Sequence, residues 1–239
     1  MPIAFDAQAN NNGSGTSMTY AHTCAAGSVL FVGSLIQSGL SMTSITYNGV
    51  TLTDPGLRIV DGGGYEIYMW YSSSPSSGSN NIVITPSAST VAIFGRSASY
   101  TGVNTSSVLG ATSTASKTST TTHTYSLTTN NNNSWTLLFA RGRSEFIVAS
   151  TGSTRRSPPT GTNSDTTVFD SNAAITPAGS NSMSFTCSPA TASCGIMWEV
   201  NVASSTTVKS YLNGTVTANV KTVLNGTAIA SRKTWNGIA

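Results

Sequence analysis

The sequence predicts an all-β protein, an antiparallel β-sandwich of jelly-roll-like or immunoglobulin-like type, followed by a short C-terminal β-repeat tail. Three observations support this class. Only 8% of the 239 residues are charged, against roughly 25% in ordinary globular proteins, so Ser, Thr, Asn and Gly must supply most of the polar surface. Short apolar or alternating runs recur between turn clusters, which is typical of sandwiches and barrels. No segment shows the apolar periodicity of an amphipathic helix.

The predicted strands begin with a short first run, which ends in a polar loop over residues 8 to 17. Ser28–Ile36 contains a nearly continuous apolar run, which indicates a strand buried on both faces. Ser44–Thr53 is the clearest hairpin, because Asn48-Gly49 tolerates the positive φ angles of a tight turn. Side chains of Tyr65–Tyr71 alternate between two faces. The remaining predicted strands are Met18–Cys24, Asn81–Thr85, Val91–Tyr100, His123–Leu127, Trp135–Ala140, Ser182–Cys187 and Gly195–Val202.

Two long stretches lack an apolar pattern and are predicted to be loops. Thr101–Thr122 consists mostly of Ser, Thr and Ala, and Arg141–Asp170 is irregular, with Pro158-Pro159 at its centre. Loops of this length are uncommon inside compact domains and often carry function. We therefore expect them to form variable tips that face a partner.

A short sequence motif, the repeated phrase, occurs three times near the C-terminus. Val208–Gly214 returns as Val220–Gly226 and, shortened, as Arg232–Gly237. Each copy has a basic residue, a small hydroxyl residue, an apolar or aromatic residue and Asn-Gly. With so few apolar residues a repeat cannot form its own core, and units of this kind gain stability by packing on copies of themselves or on a partner. We predict a sandwich domain over residues 1–203 and an assembly or attachment tail over residues 204–239, the alternative being a flexible polar terminus.

The predicted assembly residues of the tail are the apolar side chains and the turn dipeptides of the three copies. The apolar side chains have no core to enter within the tail, so we expect them to be buried between subunits, in a homotrimer. These residues are Tyr211, Leu212, Asn213, Gly214, Val223, Leu224, Asn225, Gly226, Trp235, Asn236 and Gly237.

The charge pattern argues against nucleic acid and membrane partners. The formal net charge is +3 with a pI near 8.8, but only Arg141-Gly142-Arg143 and Arg155-Arg156 concentrate it, without the dense basic stripe of nucleic-acid binders. The simpler interpretation is loop charge that aids solubility. No window approaches the ~20 apolar residues of a membrane helix. The start of the chain lacks the basic and apolar regions of a signal peptide, so we expect synthesis in the cytoplasm.

The three cysteines leave the redox state open. Cys187 and Cys194 bracket six residues between two strand-like runs, a spacing that a hairpin could bring within disulfide range. The alternative is that both are reduced, since Cys is a common core residue. Because the count, with Cys24, is odd, at least one thiol is free or pairs between chains. His22 and His123 are not at ligand spacing from any cysteine, so we predict no metal and no cofactor.

The sequence carries no catalytic motif, and we predict that the protein is not an enzyme. His22 and Cys24 share a strand face but lack an orienting group and an oxyanion pocket. The chain's glutamates are Glu66, Glu145 and Glu199, and none is expected to act as an acid or base. Three aromatic residues in strands could stack on sugars if exposed, which makes a carbohydrate-binding module the alternative function, although most such side chains are core. These residues are Tyr68, Trp70 and Tyr100.

Five segments, in this order, resemble a β-sandwich domain found in predicted phage structural proteins and bacterial surface proteins. They are Ala4–Ala7, Ser28–Gly33, Ile45–Leu52, Ile67–Tyr71 and Ser99–Val103. The resemblance covers roughly the first 105 residues and, more weakly, the chain up to about residue 203. The Lys-Thr-x-x-Asn-Gly phrase of the tail likewise resembles C-terminal repeats on phage virion proteins.

The resemblance implies a non-enzymatic protein of the phage virion surface. A capsid decoration protein and a tail or fibre adhesin subunit fit it equally. The implied partners are copies of the chain itself and other virion proteins, with a host-surface glycan as a further candidate. Release of virions by lysis would explain an extracellular type of composition without a signal peptide.

Overall fold

A computed structural model describes residues 1–143, 145–149, 152–157, 166–204, 208–212 and 215–220. Residues 145–149, 208–212 and 215–220 are described by their backbone only. The chain divides into two units, Met1–Ala203 and Ser204–Ala239. Every regular element among the described residues is a β-strand, and the strands pair in antiparallel sheets arranged as a sandwich. The predicted fold class is therefore confirmed.

The first unit contains three sheets. The outer sheet has the strand order β2-β8-β4-β5, the central sheet β1-β9-β3-β7-β6, and the bent sheet β10-β15-β11-β14-β13, with β12 also paired to β15. The strands are β1 (Ala4–Gly15), β2 (Met18–Cys24), β3 (Val29–Gln37), β4 (Met42–Tyr47), β5 (Val50–Thr51), β6 (Arg58–Val60), β7 (Tyr65–Ser72), β8 (Gly78–Pro86), β9 (Thr90–Thr101), β10 (Leu109–Thr128), β11 (Trp135–Gly142), β12 (Glu145–Ala149), β13 (Thr154–Arg155), β14 (Thr166–Asp170) and β15 (Ser180–Val200).

The central sheet is buried on both faces. Along β3, Phe31 and its face neighbours join the core shared with the bent sheet, whereas Leu30 and Val32 join the core shared with the outer sheet. Successive side chains of a strand point to opposite faces, so a continuous apolar run is what a strand between two cores requires. The prediction for Ser28–Ile36 is confirmed. Gly33 lies so close to Phe139 of β11 that a Cβ atom would stand 2.5 Å from its ring.

The bent sheet folds back on itself around a third core. The ribbon formed by β10 and β15 changes register between Lys117 and Thr122. Beyond that irregularity, Tyr125 packs back over the same sheet, where its hydroxyl lies 2.8 Å from the Ser193 hydroxyl. The rings of Phe169 and Phe185 stack there with centroids 5.2 Å apart. Both halves of the sheet thereby cover each other's apolar residues.

Several loop predictions are wrong. The polar segment 8–17 lies largely within β1, where Arg96 donates to the Asn11 carbonyl at 3.1 Å and to the Asn12 side chain at 2.8 Å. Most of Thr101–Thr122 belongs to β10, and Arg141–Asp170 contains the short strands β12 to β14. β1 and β10 lack an apolar pattern because they are edge strands of their sheets, and the β-branched Thr residues of β10 still favour extended backbone. The Asn48-Gly49 turn is confirmed, with φ angles of 51° and 75°.

The described part of the second unit is a hairpin. Strands β16 (Val208–Leu212) and β17 (Thr215–Val220) pair in antiparallel fashion, with Leu212 opposite Thr215. The first copy of the repeated phrase thus supplies β16, and the last residue of β17 begins the second copy.

Candidate assembly surface and buried polar contacts

Asp170 anchors the bent sheet to the central sheet. Its carboxylate is fully buried and accepts hydrogen bonds from the Tyr100 hydroxyl at 2.8 Å and from Arg156 Nε at 2.6 Å and Nη2 at 3.0 Å. Burial, aided by the neighbouring Asp170 charge, raises the pKa of Tyr100 well above its usual value, so the phenol stays protonated and donates. The Arg156 guanidinium also lies 4.2 Å from the centre of the Phe5 ring. These groups form a contact between layers and leave Asp170 without access to a substrate.

Asp61 forms a second anchor of this kind. One carboxylate oxygen accepts the backbone N–H groups of Gly63 at 2.6 Å and Tyr65 at 3.1 Å, which orders the glycine-rich turn between β6 and β7. The other oxygen pairs with the buried Arg141, and Arg143 Nη2 donates to the Asp61 carbonyl at 2.7 Å. Arg141 is therefore a buried ion-pair partner, and its interpretation as solubilising loop charge is wrong.

Glu199 joins two chain segments through hydrogen bonds. Its buried carboxylate accepts backbone N–H groups from Ala111 at 2.8 Å, Asn130 at 2.9 Å and Asn131 at 2.8 Å. Burial favours the neutral acid, but the hydrogen bonds outweigh it and hold the pKa of Glu199 below its ordinary value. An acid fixed in its charged form by three backbone donors is suited to a structural role.

Glu66 has a separate set of neighbours, since Arg58 Nε lies 3.5 Å from it. Glu66 and Glu199 are both buried and are held by different contacts. The side chain of Glu145 lies outside the described part of the protein. A small pocket of about 190 Å³ opens near Arg58, which is below the roughly 300–1,000 Å³ of typical ligand sites. Its lining residues are Ser41, Met42, Asp54, Gly56, Leu57, Arg58 and Tyr68.

His22 belongs to a buried chain of hydrogen bonds that ties the outer sheet to the central sheet. Its Nδ1 lies 2.9 Å from the Ser97 hydroxyl and its Nε2 3.1 Å from the Ser99 hydroxyl. Ser99 in turn donates to Asp6 at 2.7 Å. Burial lowers the pKa of His22 to about 4, although the Asp6 charge opposes the shift. Burial likewise raises the pKa of the Cys24 thiol, so neither group of the His22/Cys24 pair is poised for nucleophilic catalysis.

The hairpin predicted between Cys187 and Cys194 is wrong. β15 runs in one direction past both residues and stays paired with β10, accommodating the intervening residues as an irregularity in register. The two side chains lie in different cores, and both are buried free thiols, so no disulfide joins them. Burial raises the pKa of Cys187 to about 11 and that of Cys194 to about 12.

The aromatic side chains proposed for sugar stacking are buried. Tyr68 and Trp70 are each 5% exposed and Tyr100 is fully buried, because they face the two cores of the central sheet. They are therefore core residues, as most aromatic side chains in strands are, and the alternative in which they stack on sugars has no exposed platform here. Among the described residues, the large apolar side chains with broad exposure are Met1, Val50, Val60 and Val91.

No group of three or more His, Cys, Asp or Glu side chains in the described ranges is placed to hold a metal ion. In the part of the chain that the structure describes, no helix has the length and apolar character needed to cross a membrane.

The predicted assembly residues of the tail are only partly described. Tyr211 and Leu212 lie in β16 and pair with β17. The other residues of this set lie outside the described residues, namely Asn213, Gly214, Val223, Leu224, Asn225, Gly226, Trp235, Asn236 and Gly237.

The body carries one further candidate assembly surface. The strand that forms it was predicted from the sequence as His123–Leu127, but its position at the edge of a sheet was not. The surface is the outer edge of β10 over Thr122–Thr128, where β10 is the last strand in the order of the bent sheet. Exposed hydroxyl residues alternate there with the buried residues His123, Tyr125 and Leu127. Across the ribbon, the hydroxyls of Thr124 and Ser184 lie 2.9 Å apart. The alternation of larger residues at 123, 125 and 127 with hydroxyl residues is the sequence pattern that predicts this half-buried strand.

Comparison with known proteins adds little. No protein-family model matches the chain, and no curated protein matches its sequence. Among solved structures, the major capsid protein P2 from Bacteriophage PM2 is a weak structural neighbour, with a TM-score of 0.26 and 9% sequence identity over 85% of this chain and 99% of that chain. A likeness at this TM-score carries no argument about fold or function.

Proposed function

We propose that this chain is a non-enzymatic structural protein of a phage virion surface, a capsid decoration protein or a tail or fibre adhesin subunit. In this proposal residues 1–203 form the rigid body, and the repeats of residues 204–239 join copies into a homotrimer or attach them to other virion proteins. The protein is then located in the virion after synthesis in the host cytoplasm.

One observation carries the proposal. The ionisable groups that could do chemistry in the body are buried in contacts that hold its layers together, as with Asp170, Asp61 and Glu199. A body of this kind offers rigidity and few charged residues, whereas the tail repeats one strand-and-turn phrase. An isolated two-stranded hairpin is marginally stable in water, so a hairpin built from such a phrase favours partners that complete it. The phage assignment rests on the sequence resemblance described above.

The tail can be tested with a matched pair of variants in the full chain. In the first, Asn213, Asn225 and Asn236 are replaced by Val, which disfavours the positive φ angles that the sequence predicts for the three Asn-Gly dipeptides. In the control, the same replacement is made at Asn48, in the body's own Asn-Gly turn. We expect light scattering to give the mass of three 24.6 kDa chains for the parent and the control, and of one chain for the tail variant. A tail variant that keeps the parent mass and still enters particles would overturn the proposal.

A further inference from the structure

We propose that the edge of β10 over Thr122–Thr128 pairs with the same edge of a second copy about a two-fold axis, joining two bent sheets into one. The contact is independent of the tail and weaker than the tail-mediated one, so it adds a second, body-to-body interface only at chain concentrations well above those of the light-scattering test. The occupant of the edge is another copy of this chain, and the bonds that form are backbone hydrogen bonds between two antiparallel strands.

The edge is open along a regular stretch. From Thr122 to Thr128 every residue of β10 has a partner in β15, in unbroken register from Thr186 to Ser180. β6 approaches β10 at Ser116, outside the segment, where the hydroxyl donates to the Val60 carbonyl at 3.4 Å. Among the described residues, β15 is the strand that pairs with Thr122–Thr128, so within that part of the chain the backbone groups on the far side of the segment are available to a further strand.

The usual protection of an edge strand is missing here. Proteins guard open edges with charged side chains, proline, bulges or very short strands. The segment is Thr-His-Thr-Tyr-Ser-Leu-Thr, with no Pro, no Gly and no formal charge, since burial lowers the pKa of His123. The lysine of β10, Lys117, lies outside the segment with its ammonium 5.4 Å from the Tyr125 ring centre. Uncharged segments of six or seven residues with high β-propensity are those that associate edge to edge.

The segment is complementary to itself. A two-fold axis at Tyr125 places Thr122 opposite Thr128 and Thr124 opposite Ser126 of the second copy, so each exposed pair is hydroxyl against hydroxyl. This is the pairing that β10 already makes with β15, where Ser126 and Ser182 hydroxyls lie 2.8 Å apart. The rows of hydroxyl groups would then continue without a break across four strands. An isologous contact of this kind needs one surface patch that matches its own copy.

The register makes the contact testable by disulfide trapping. Directly opposite residues have Cβ atoms about 4.5–5.5 Å apart, and diagonal neighbours about 7–8 Å apart, whereas a disulfide needs about 3.5–4.5 Å. Chains carrying Thr124→Cys, mixed with chains carrying Ser126→Cys, should therefore form at least about tenfold more covalent dimer under mild oxidation than either variant alone. The native cysteines are buried, and the parent chain measures their background. Thr112→Cys mixed with Thr114→Cys, on the half of β10 beside β6, is the matched control.

A charge test uses the same positions. The double variant Thr124→Lys/Ser126→Lys sets like charges opposite each other and should abolish self-association through the edge in sedimentation at up to about 1 mM chain. Mixing it with Thr124→Glu/Ser126→Glu should restore association. If the cysteine mixture traps no more dimer than its components, or the lysine variant associates as the parent does, the two-fold contact does not exist. Because neither variant alters residues 204–239, a loss of the tail-dependent mass would be scored against the proposed function and not against this contact.

Discussion

Acid should destabilise the fold through His22, because this imidazole is buried and its surroundings favour the neutral ring. The ring is 1% exposed, and its two nitrogens face the hydroxyls of Ser97 and Ser99, one as donor and one as acceptor. The other groups near it are the Asp6 carboxylate beyond Ser99, the Tyr47 ring at 6.4 Å and the neutral Cys24 thiol. Only Asp6 favours the protonated ring, and its influence is smaller than that of burial.

The sign and size of the effect follow from the pKa difference. In the unfolded chain the histidine titrates near 6.5, and in the folded protein burial lowers its pKa to about 4. Between these values the unfolded state binds the proton and the folded state does not, so stability falls as the pH drops from about 6.5 to about 4. At ~1.4 kcal/mol per pKa unit, the loss reaches about 3 kcal/mol at and below pH 4.

Urea unfolding at pH 7, 6, 5 and 4 measures this loss when the parent is compared with His22→Gln. The variant is expected to be less stable at pH 7, because glutamine cannot reproduce both ring contacts, but its stability should fall by about 3 kcal/mol less between pH 7 and pH 4. His123→Gln serves as the control, since burial lowers the pKa of His123 as well and that variant keeps the His22 contribution. Equal pH dependence in the parent and in His22→Gln would refute the reasoning.

Two substitutions test the packing of the layers by urea unfolding at pH 7. Asp170→Asn removes one partner of a buried ion pair and should lower the free energy of unfolding by about 3 kcal/mol or more. Its control, Asp54→Asn at an exposed carboxylate, should change it by less than about 0.5 kcal/mol. Similar losses for both variants would contradict the anchoring role of Asp170. Gly33→Ala brings a Cβ atom within 2.5 Å of the Phe139 ring and should cost about 1–3 kcal/mol. Gly179→Ala, where the space is open, should have little effect, and a neutral Gly33→Ala would mean that the central and bent sheets are less closely packed than described.

The sequence predicted the features that depend on local pattern. The apolar run at Ser28–Ile36 identified the strand buried between two cores, because no other position in a β protein needs apolar residues on both faces. The Asn48-Gly49 turn was predictable from backbone conformational preference alone. The class of fold followed in the same way, from the recurrence of short strands and turns.

The contacts between layers could not be predicted, because they join residues far apart in the chain. Arg96 donates to the Thr166 carbonyl at 2.9 Å across 70 positions. The predicted strand Val91–Tyr100 contains this arginine, but no local pattern identifies the residue with which it pairs. Only the second half of β10 was predicted as a strand, over His123–Leu127. Its first half was missed because it consists mostly of Ser, Thr and Ala and has no apolar alternation from which a strand could be inferred.

The placement of charge links this fold to the proposed assembly. With a formal net charge of +3 on 239 residues, and with carboxylates such as Asp170 neutralised in buried pairs, little long-range repulsion opposes the approach of a second copy. Low net charge favours association of like chains, which is a liability for a protein that must stay dispersed but an advantage for one that covers a surface with many copies. Specificity must then come from short-range geometry, which an open strand edge with matched hydroxyl rows supplies through directional hydrogen bonds.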